Sequence, residues 1–315
     1  MLQILTITLP IYLIIGLGYL SVRSRLFERE HMAVIGRFIL MISMPPLVFR
    51  AISQHPLEEV VNVVYLAAYL TASLLVHLGG YACARLLYGH PRPRAALIGM
   101  GMGVSNSLFI GYPIIQQVVG PSASIALALC LLVENLIMAP LTMLIADTRE
   151  DLPWRRALCN SLLTQLKSPL FLGILAGFAC SAAAFTMPGP LDKAVQMIGG
   201  VSAPLALFMI GGVLVGSELK GSGRDIATIV LGKLLLHPIV TLLVLVMFPP
   251  LDPALQTAAF LFACMPLPSI FPAIAFRYGE TAVCAAALVT ATVLSFLTLN
   301  GWLLLLPGLS ARFWG

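Results

Sequence analysis

SNSLFIGYPII, residues 105–115, interrupts a long apolar run with two serines, an asparagine, a glycine and a proline. About 160 residues later MPLPSIFPAI, residues 265–274, interrupts another run in the same manner. Proline removes a backbone donor and its ring clashes with the carbonyl of residue i−4, so Pro113, Pro266, Pro268 and Pro272 each disturb a helical hydrogen-bond ladder. In hydrocarbon an unmet backbone group costs several kcal/mol, so unwound backbone is tolerated there only where protein or a wet cavity surrounds it. The two breaks are expected to face each other near the middle of a bilayer.

Composition shows that the surrounding runs meet lipid. Of the 315 residues 59% are hydrophobic and 10% are charged, and the mean hydropathy is +0.99. A soluble domain carries about a quarter charged residues, because it needs that surface to meet water. Ten runs are long enough to cross a hydrocarbon core: 3–22, 31–51, 58–80, 94–119, 122–146, 166–187, 194–217, 225–248, 254–277 and 280–306, numbered here as spans 1 to 10. The first run lacks the basic flank of a signal peptide and is read as an uncleaved helix. The longest connection, DTREDLPWRRALCNSLLTQLK at 147–167, separates five spans from five. An odd number of spans per half inserts the second half upside down, which is the arrangement of an inverted repeat. The expected organisation is therefore a first five-helix repeat over 1–147, a linker over 148–165 and a second repeat over 166–315. The expected fold is an all-α membrane protein of ten transmembrane helices, with helices 4 and 9 discontinuous.

Charge sets the expected orientation. The connections after spans 1, 3, 5, 7 and 9 carry thirteen lysines and arginines, against three on the other side. That bias places the basic connections in the cytoplasm and both termini outside it, in a cell membrane of bacterial inner-membrane type. The net charge of +5 then belongs to the inner face rather than to nucleic-acid binding, for which the short loops offer no folded surface.

Enzyme constellations are missing. The chain has no HExxH, GxSxG or P-loop pattern, and its six cysteines have no paired spacing, so neither an enzyme, a metal site nor a cofactor is expected. The polar residues of the interrupted spans are the candidate site instead. A half-helix N-terminus presents free amide donors and a positive dipole end, so it suits a small anion, most simply a carboxylate. Ser105, Asn106 and Ser107 lie beside the first break, where they either cap the second half-helix or contact a ligand; Gly111 allows close backbone approach or touches the ligand. Ser269 is the short polar side chain among the prolines of span 9, beside Pro268. Glu134 and Asn135 sit in the middle of span 5, where an ionisable group is a functional hypothesis by default; the rival reading is a neutral structural acid. In span 8, His237 is expected to hydrogen-bond a neighbouring helix, and Lys233 to snorkel to the inner face. H+ or Na+ is the expected coupling ion.

These motifs identify a resemblance to the auxin efflux carrier family over the full length. NSLFIGYPII, from Asn106 to Ile115, is similar to the family's span-4 motif, and SPLFLGILAGF (168–178) and APLALFMIGGVL (203–214) are similar to its span-6 and span-7 patterns. The resemblance implies two inverted five-helix repeats whose fourth and ninth helices cross at the substrate site. It also implies an elevator-like cycle in which spans 3 to 5 and 8 to 10 move against spans 1, 2, 6 and 7. The family's span-4 asparagine maps onto Asn106 and its crossover proline onto Pro113. Span 9 departs from the auxin exporters: Leu267, Pro268, Ser269, Ile270 and Phe271 replace a polar amide, and the segment looks more like the malonate-carrier branch. The resulting expectation is a secondary transporter of malonate or another short carboxylate, embedded among membrane lipids, with a homodimer as its assembly. The rivals are a passive anion channel, an auxin-like or amino-acid carrier, and a sensor that binds the anion without moving it.

Overall fold

The computed structural model describes residues 2–56, 61–147, 163, 167–216 and 222–313, so the expected linker lies, Leu163 apart, outside the described residues. All regular structure among the described residues is helical. Seven helical stretches among the described residues are long and apolar enough to cross a bilayer: Arg29–Ser53, Val63–Leu86, Arg92–Val119, Ser122–Ala146, Gly189–Leu214, Gly223–Met247 and Thr281–Ser310. Leu9–Arg23, Pro169–Ala182 and Pro253–Ala263 are shorter apolar helices. Span 3 runs later than its hydropathy suggests: the helix continues through Gly79 and Gly80 to Leu86, and the chain turns at Gly89, at φ +67, before Pro91.

Several stretches are composite. In chain order the helices are α1 (Leu2–Arg23), α2 (Arg29–Phe38), α3 (Met44–Ser53), α4 (Val63–Leu86), α5 (Arg92–Gly103), α6 (Tyr112–Val119), α7 (Ser122–Val133) and α8 (Ala139–Ala146). They continue as α9 (Pro169–Ala182), α10 (Gly189–Gly200), α11 (Ser202–Leu214), α12 (Gly223–Leu231), α13 (His237–Met247), α14 (Pro253–Ala263), α15 (Phe271–Phe276) and α16 (Thr281–Phe313). Four π turns join pairs of them: Ile39–Ser43, Ser107–Gly111, Glu134–Met138 and Gly232–Leu236. Each ends two residues before a proline, namely Pro45, Pro113, Pro140 and Pro238. The shared register has one cause. The proline ring displaces the carbonyl four residues back and supplies no N–H to it, and the preceding turn widens to relieve the clash.

The carbonyl left opposite a proline needs another donor. For Pro238 that carbonyl is Leu234 O, and Trp302 Nε1 of α16 donates to it at 3.1 Å. Trp302→Phe should keep the edge-on packing against Phe260, whose centroid is 5.6 Å away, while orphaning Leu234 O. A loss of about 1–3 kcal/mol is expected. Thermal unfolding in detergent reads it, and an unchanged midpoint would mean that another donor replaces the indole.

The chain divides into two compact units that do not coincide with its two halves, since each half contributes to both. The first unit comprises Met1–Val63, Leu108–Leu129 and Leu163–Gly216, so spans 1, 2, 6 and 7 fall in it. Its helices meet at glycines. A Cβ on Gly18 of α1 would fall 2.0 Å from Phe208 O of α11, and one on Gly211 would fall 1.9 Å from Ile15 O. Between α3 and α9, a Cβ on Gly173 would lie 2.7 Å from Pro45 O. Lipid offers no hydrophobic drive for helix association, so such backbone-to-backbone packing supplies much of the attraction.

The second unit comprises Val64–Ser107, Cys130–Leu162 and Ser217–Gly315. Here α4 and α5 approach through Gly99 and Gly103, whose added Cβ atoms would lie 2.4 Å from His77 O and 2.8 Å from Ser73 O. At the starts of α5, α12 and α16, Arg94 Nε donates to buried Asp225 at 2.9 Å. His90 Nε2 lies 2.9 Å from the same carboxylate, and Arg94 reaches Glu280 at 3.5 Å. This knot ties three helix ends together at one rim of the unit.

Candidate functional site

The break in span 4 lies upstream of where its proline suggests. Val104 is already extended (φ −118, ψ 141), and Val104–Asn106 lie outside any helix. Ser105 and Asn106 therefore belong to the break itself and Ser107 opens the π turn. Pro113 sits in α6, and its effect appears as that turn, because a proline disturbs the residues before it. Gly111 closes the turn, and its φ of −63 is one that any residue adopts. Gly111 and Pro113 lie in Leu108–Leu129, within the first unit.

In span 9 the break runs between α14 and α15. The two breaks are bonded directly. Asn106 N donates to Pro266 O at 2.8 Å, and Asn106 Nδ2 donates to Ser269 Oγ at 2.9 Å. Pro268 is half-buried in the same segment, and its carbonyl accepts from Phe271 N at 3.0 Å. One asparagine thus spends its main chain and its amide on the facing strand of unwound backbone.

Behind this crossing lies a buried polar cluster. Glu134 opens the π turn of span 5, which aims its carboxylate at the span-4 break. Its Oε1 accepts from Ser107 Oγ at 2.8 Å, Tyr69 Oη at 3.1 Å and Ser105 N at 3.2 Å. Ser107 Oγ also lies 3.2 Å from Cys130 Sγ. Lys233, in the π turn of span 8, does not reach an aqueous face. It is fully buried, and the expectation of snorkelling is corrected. Its Nζ lies 2.6 Å from Ser105 Oγ, 2.6 Å from His237 Nδ1 and 3.3 Å from Ala263 O, a carbonyl at the end of α14 that the break leaves without a helical partner. An ammonium has three N–H donors and here meets three acceptors, so His237 Nδ1 accepts and its proton sits on Nε2. Nε2 lies 3.4 Å from Ser73 Oγ of α4. Ser105 joins the two charge types, with its amide on Glu134 and its hydroxyl on Lys233.

The arrangement can exchange protons among an acid, an amine and an imidazole through hydroxyl groups, and it can anchor the crossing rigidly. Asn135 takes no part; its Nδ2 donates to Leu131 O of its own helix at 3.0 Å. Sequence reasoning does not mark Tyr69, Ser73 or Lys233 as site residues. A lysine and a histidine four apart, the latter preceding Pro238, are the available signal, since that proline widens the turn that holds Lys233 and ends next to His237.

The first unit holds a cavity of about 490 Å³ lined by residues that include Arg50, Gln54, Tyr112, Gln116 and Gln196. Arg50 is already bonded bidentately to Asp192, at 2.7 and 3.1 Å, so it brings no uncompensated charge to an anion there.

Comparison with known proteins places the chain among transporters. Residues 3–303 match the family described as "Membrane transport protein". A Rhizobium meliloti (strain 1021) protein named "Putative malonate transporter" is 28% identical over 311 residues, 97% of each chain. The "Uncharacterized transporter YfdV" of Escherichia coli (strain K12) is 22% identical over 245 residues, 75% of this chain and 76% of that one. "Auxin efflux carrier component 8" of Arabidopsis thaliana is 29% identical over 143 residues, 43% of this chain and 38% of that one.

Proposed function

This chain belongs to the membrane transport protein family, with the auxin efflux carriers, and on that premise we propose that it is a secondary active transporter of a small organic anion, malonate or another short carboxylate. The observation that carries the reading is the crossing itself. Two interrupted apolar helices meet through Asn106, Pro266 and Ser269, which puts unwound polar backbone inside a multi-pass membrane protein. Such breaks are costly in lipid and are retained where substrate or ions bind. The named function of the Rhizobium relative supports malonate.

In this reading the seven long helices and three shorter ones make ten spans in two inverted repeats. The glycine-lined pairings support it: span 1 meets span 7 and span 2 meets span 6, and exchanging the two halves converts one pairing into the other. The inner face carries the basic connections, and both termini lie outside. Spans 3 to 5 and 8 to 10 carry the crossing past spans 1, 2, 6 and 7 in an elevator-like cycle. An H+ or Na+ gradient drives it.

Uptake of radiolabelled malonate into proteoliposomes tests the reading, with unlabelled malonate inside and pH and sodium gradients imposed separately. Counterflow and accumulation under one gradient are expected. Conductance without counterflow would replace the carrier by a channel. Asn106→Ala removes the amide bond to Ser269 but keeps the backbone bond to Pro266, so the crossing should persist while uptake falls about tenfold. Wild-type uptake in that variant would move the binding site elsewhere.

A further inference from the structure

His77 of α4 is fully buried, and neither of its ring nitrogens has a hydrogen-bond partner among the described residues. An unpartnered polar group buried in a membrane protein is expensive, and leucine would fill the same space without that cost. Gly99 and Gly103 lie against the imidazole, and Cβ atoms there would approach His77 Cδ2 at 3.3 Å and His77 Cβ at 3.0 Å.

Position supplies the second observation. Tyr69, Ser73 and His77 are spaced four apart on α4, so they share one face and climb about 12 Å toward the end that carries Arg85. Tyr69 and Ser73 belong to the buried cluster. Tyr69 Oη lies 3.1 Å from Glu134 Oε1 and 3.4 Å from Ser105 Oγ, and Ser105 Oγ meets Lys233 Nζ. Lys233 Nζ meets His237 Nδ1, and His237 Nε2 faces Ser73 Oγ. The polar file Glu134, Tyr69, Ser105, Lys233, His237, Ser73 thus stops one helical turn short of His77.

We propose that His77 is a proton-relay residue, through which the coupling proton passes between the buried Glu134–Lys233–His237 cluster and the inner side of the membrane. The inference rests on the carrier reading and names H+ as its coupling ion. In the outward step of the file, Lys233 Nζ gives a proton to His237 Nδ1, and His237 gives its Nε2 proton to Ser73 Oγ. The Ser73 hydroxyl proton then moves to a nitrogen of His77, across one bridging water or a rotation of the ring. Lys233 is left neutral, His77 holds one proton more, and His237 is left as the opposite tautomer; ring and hydroxyl rotation reset the chain. The titratable groups facing the file are Tyr65 and Tyr69 of α4, Cys130, Glu134, Lys233, His237 and Cys264. From α5, Gly99 and Gly103 lie against His77, and the charged residues of that helix, Arg92 and Arg94, lie at its start.

The test uses the reconstituted full chain. His77→Leu should unfold at the same or a higher temperature than wild type and keep malonate counterflow, while a pH gradient of one unit no longer drives accumulation. For one proton per anion at zero membrane potential, the wild-type ratio is at most about tenfold and should fall to one. A substrate-independent readout is the pH-dependent exchange of the His77 C2–H with D2O, followed by mass spectrometry, which should trace a titration curve in wild type. Proton-driven accumulation that survives His77→Leu would overturn the proposal. So would a joint loss of counterflow and stability, which marks a structural histidine, or accumulation driven by sodium alone. Absent His77 exchange would do the same whatever the substrate. Wild-type protein that shows His77 exchange but no malonate counterflow would overturn the substrate and leave the relay.

Discussion

Lys233→Met is expected to abolish gradient-driven uptake and to destabilise the protein by about 3–5 kcal/mol, the usual cost of removing one member of a buried charged network. Methionine fills the same volume, so the loss would come from chemistry rather than from a cavity. Ser105 Oγ, His237 Nδ1 and Ala263 O would all lose the donor they share. A second substitution separates charge from packing. With Glu134→Gln added, the carboxylate that Lys233 balances across Ser105 is also gone, so the double variant should be more stable than the sum of the two single losses predicts. Transport should not return with that stability. Unfolding midpoints of the four proteins in detergent, beside their uptake in vesicles, give the cycle. Additive losses would show that the acid and the amine act independently, and driven uptake by Lys233→Met would remove this lysine from the transport machinery.

Gly211→Ala should leave little correctly folded protein. The added Cβ would lie 1.9 Å from Ile15 O and 2.8 Å from Tyr19 N, both main-chain atoms that cannot swing aside. Relief requires α1 and α11 to part along a seam where Gly18 already meets Phe208 O in the same way. Overpacking of this kind costs on the order of 3 kcal/mol or more, and in lipid no hydrophobic drive pulls the helices back together. Gly16→Ala is the control on α1, the other helix of the seam. Nothing lies within 4 Å of its Cβ, and alanine is the better helix former, so the protein should be as stable as wild type or slightly more so. Fluorescence-detected size exclusion after extraction separates the two. A monodisperse Gly211→Ala peak with a wild-type melting temperature would mean that the α1–α11 seam opens without cost.

Part of the candidate site is legible in the amino-acid sequence. The lone asparagine and serines in otherwise apolar runs mark where backbone must unwind, and Asn106 and Ser269 are indeed bonded to each other. The prolines mark more than the two breaks. Pro140 and Pro238 follow the same register as Pro45 and Pro113, and the turns they widen hold Glu134 and Lys233. A proline taken as a disturbance six to two residues upstream of itself places both ionisable residues in irregular helix.

Hydropathy, charge bias and helix breakers determined that this chain is a multi-pass membrane protein with two interrupted spans, because burial in lipid and backbone hydrogen bonding are local demands that each segment must meet for itself. What Lys233 and His77 do was decided only in the tertiary structure. Lys233 stands near the end of an apolar run, where a flexible ammonium reaches water unless neighbouring helices enclose it, and two of the three acceptors that hold it come from the span-4 break and the end of α14, 128 and 30 residues away in sequence. His77 reads as one polar residue in a long span, and only the packing of α5 against α4 shows it buried with neither ring nitrogen bonded among the described residues. A helical period shows which face a residue occupies; which helix covers that face is set by how all the apolar stripes pack together, and no local pattern records it.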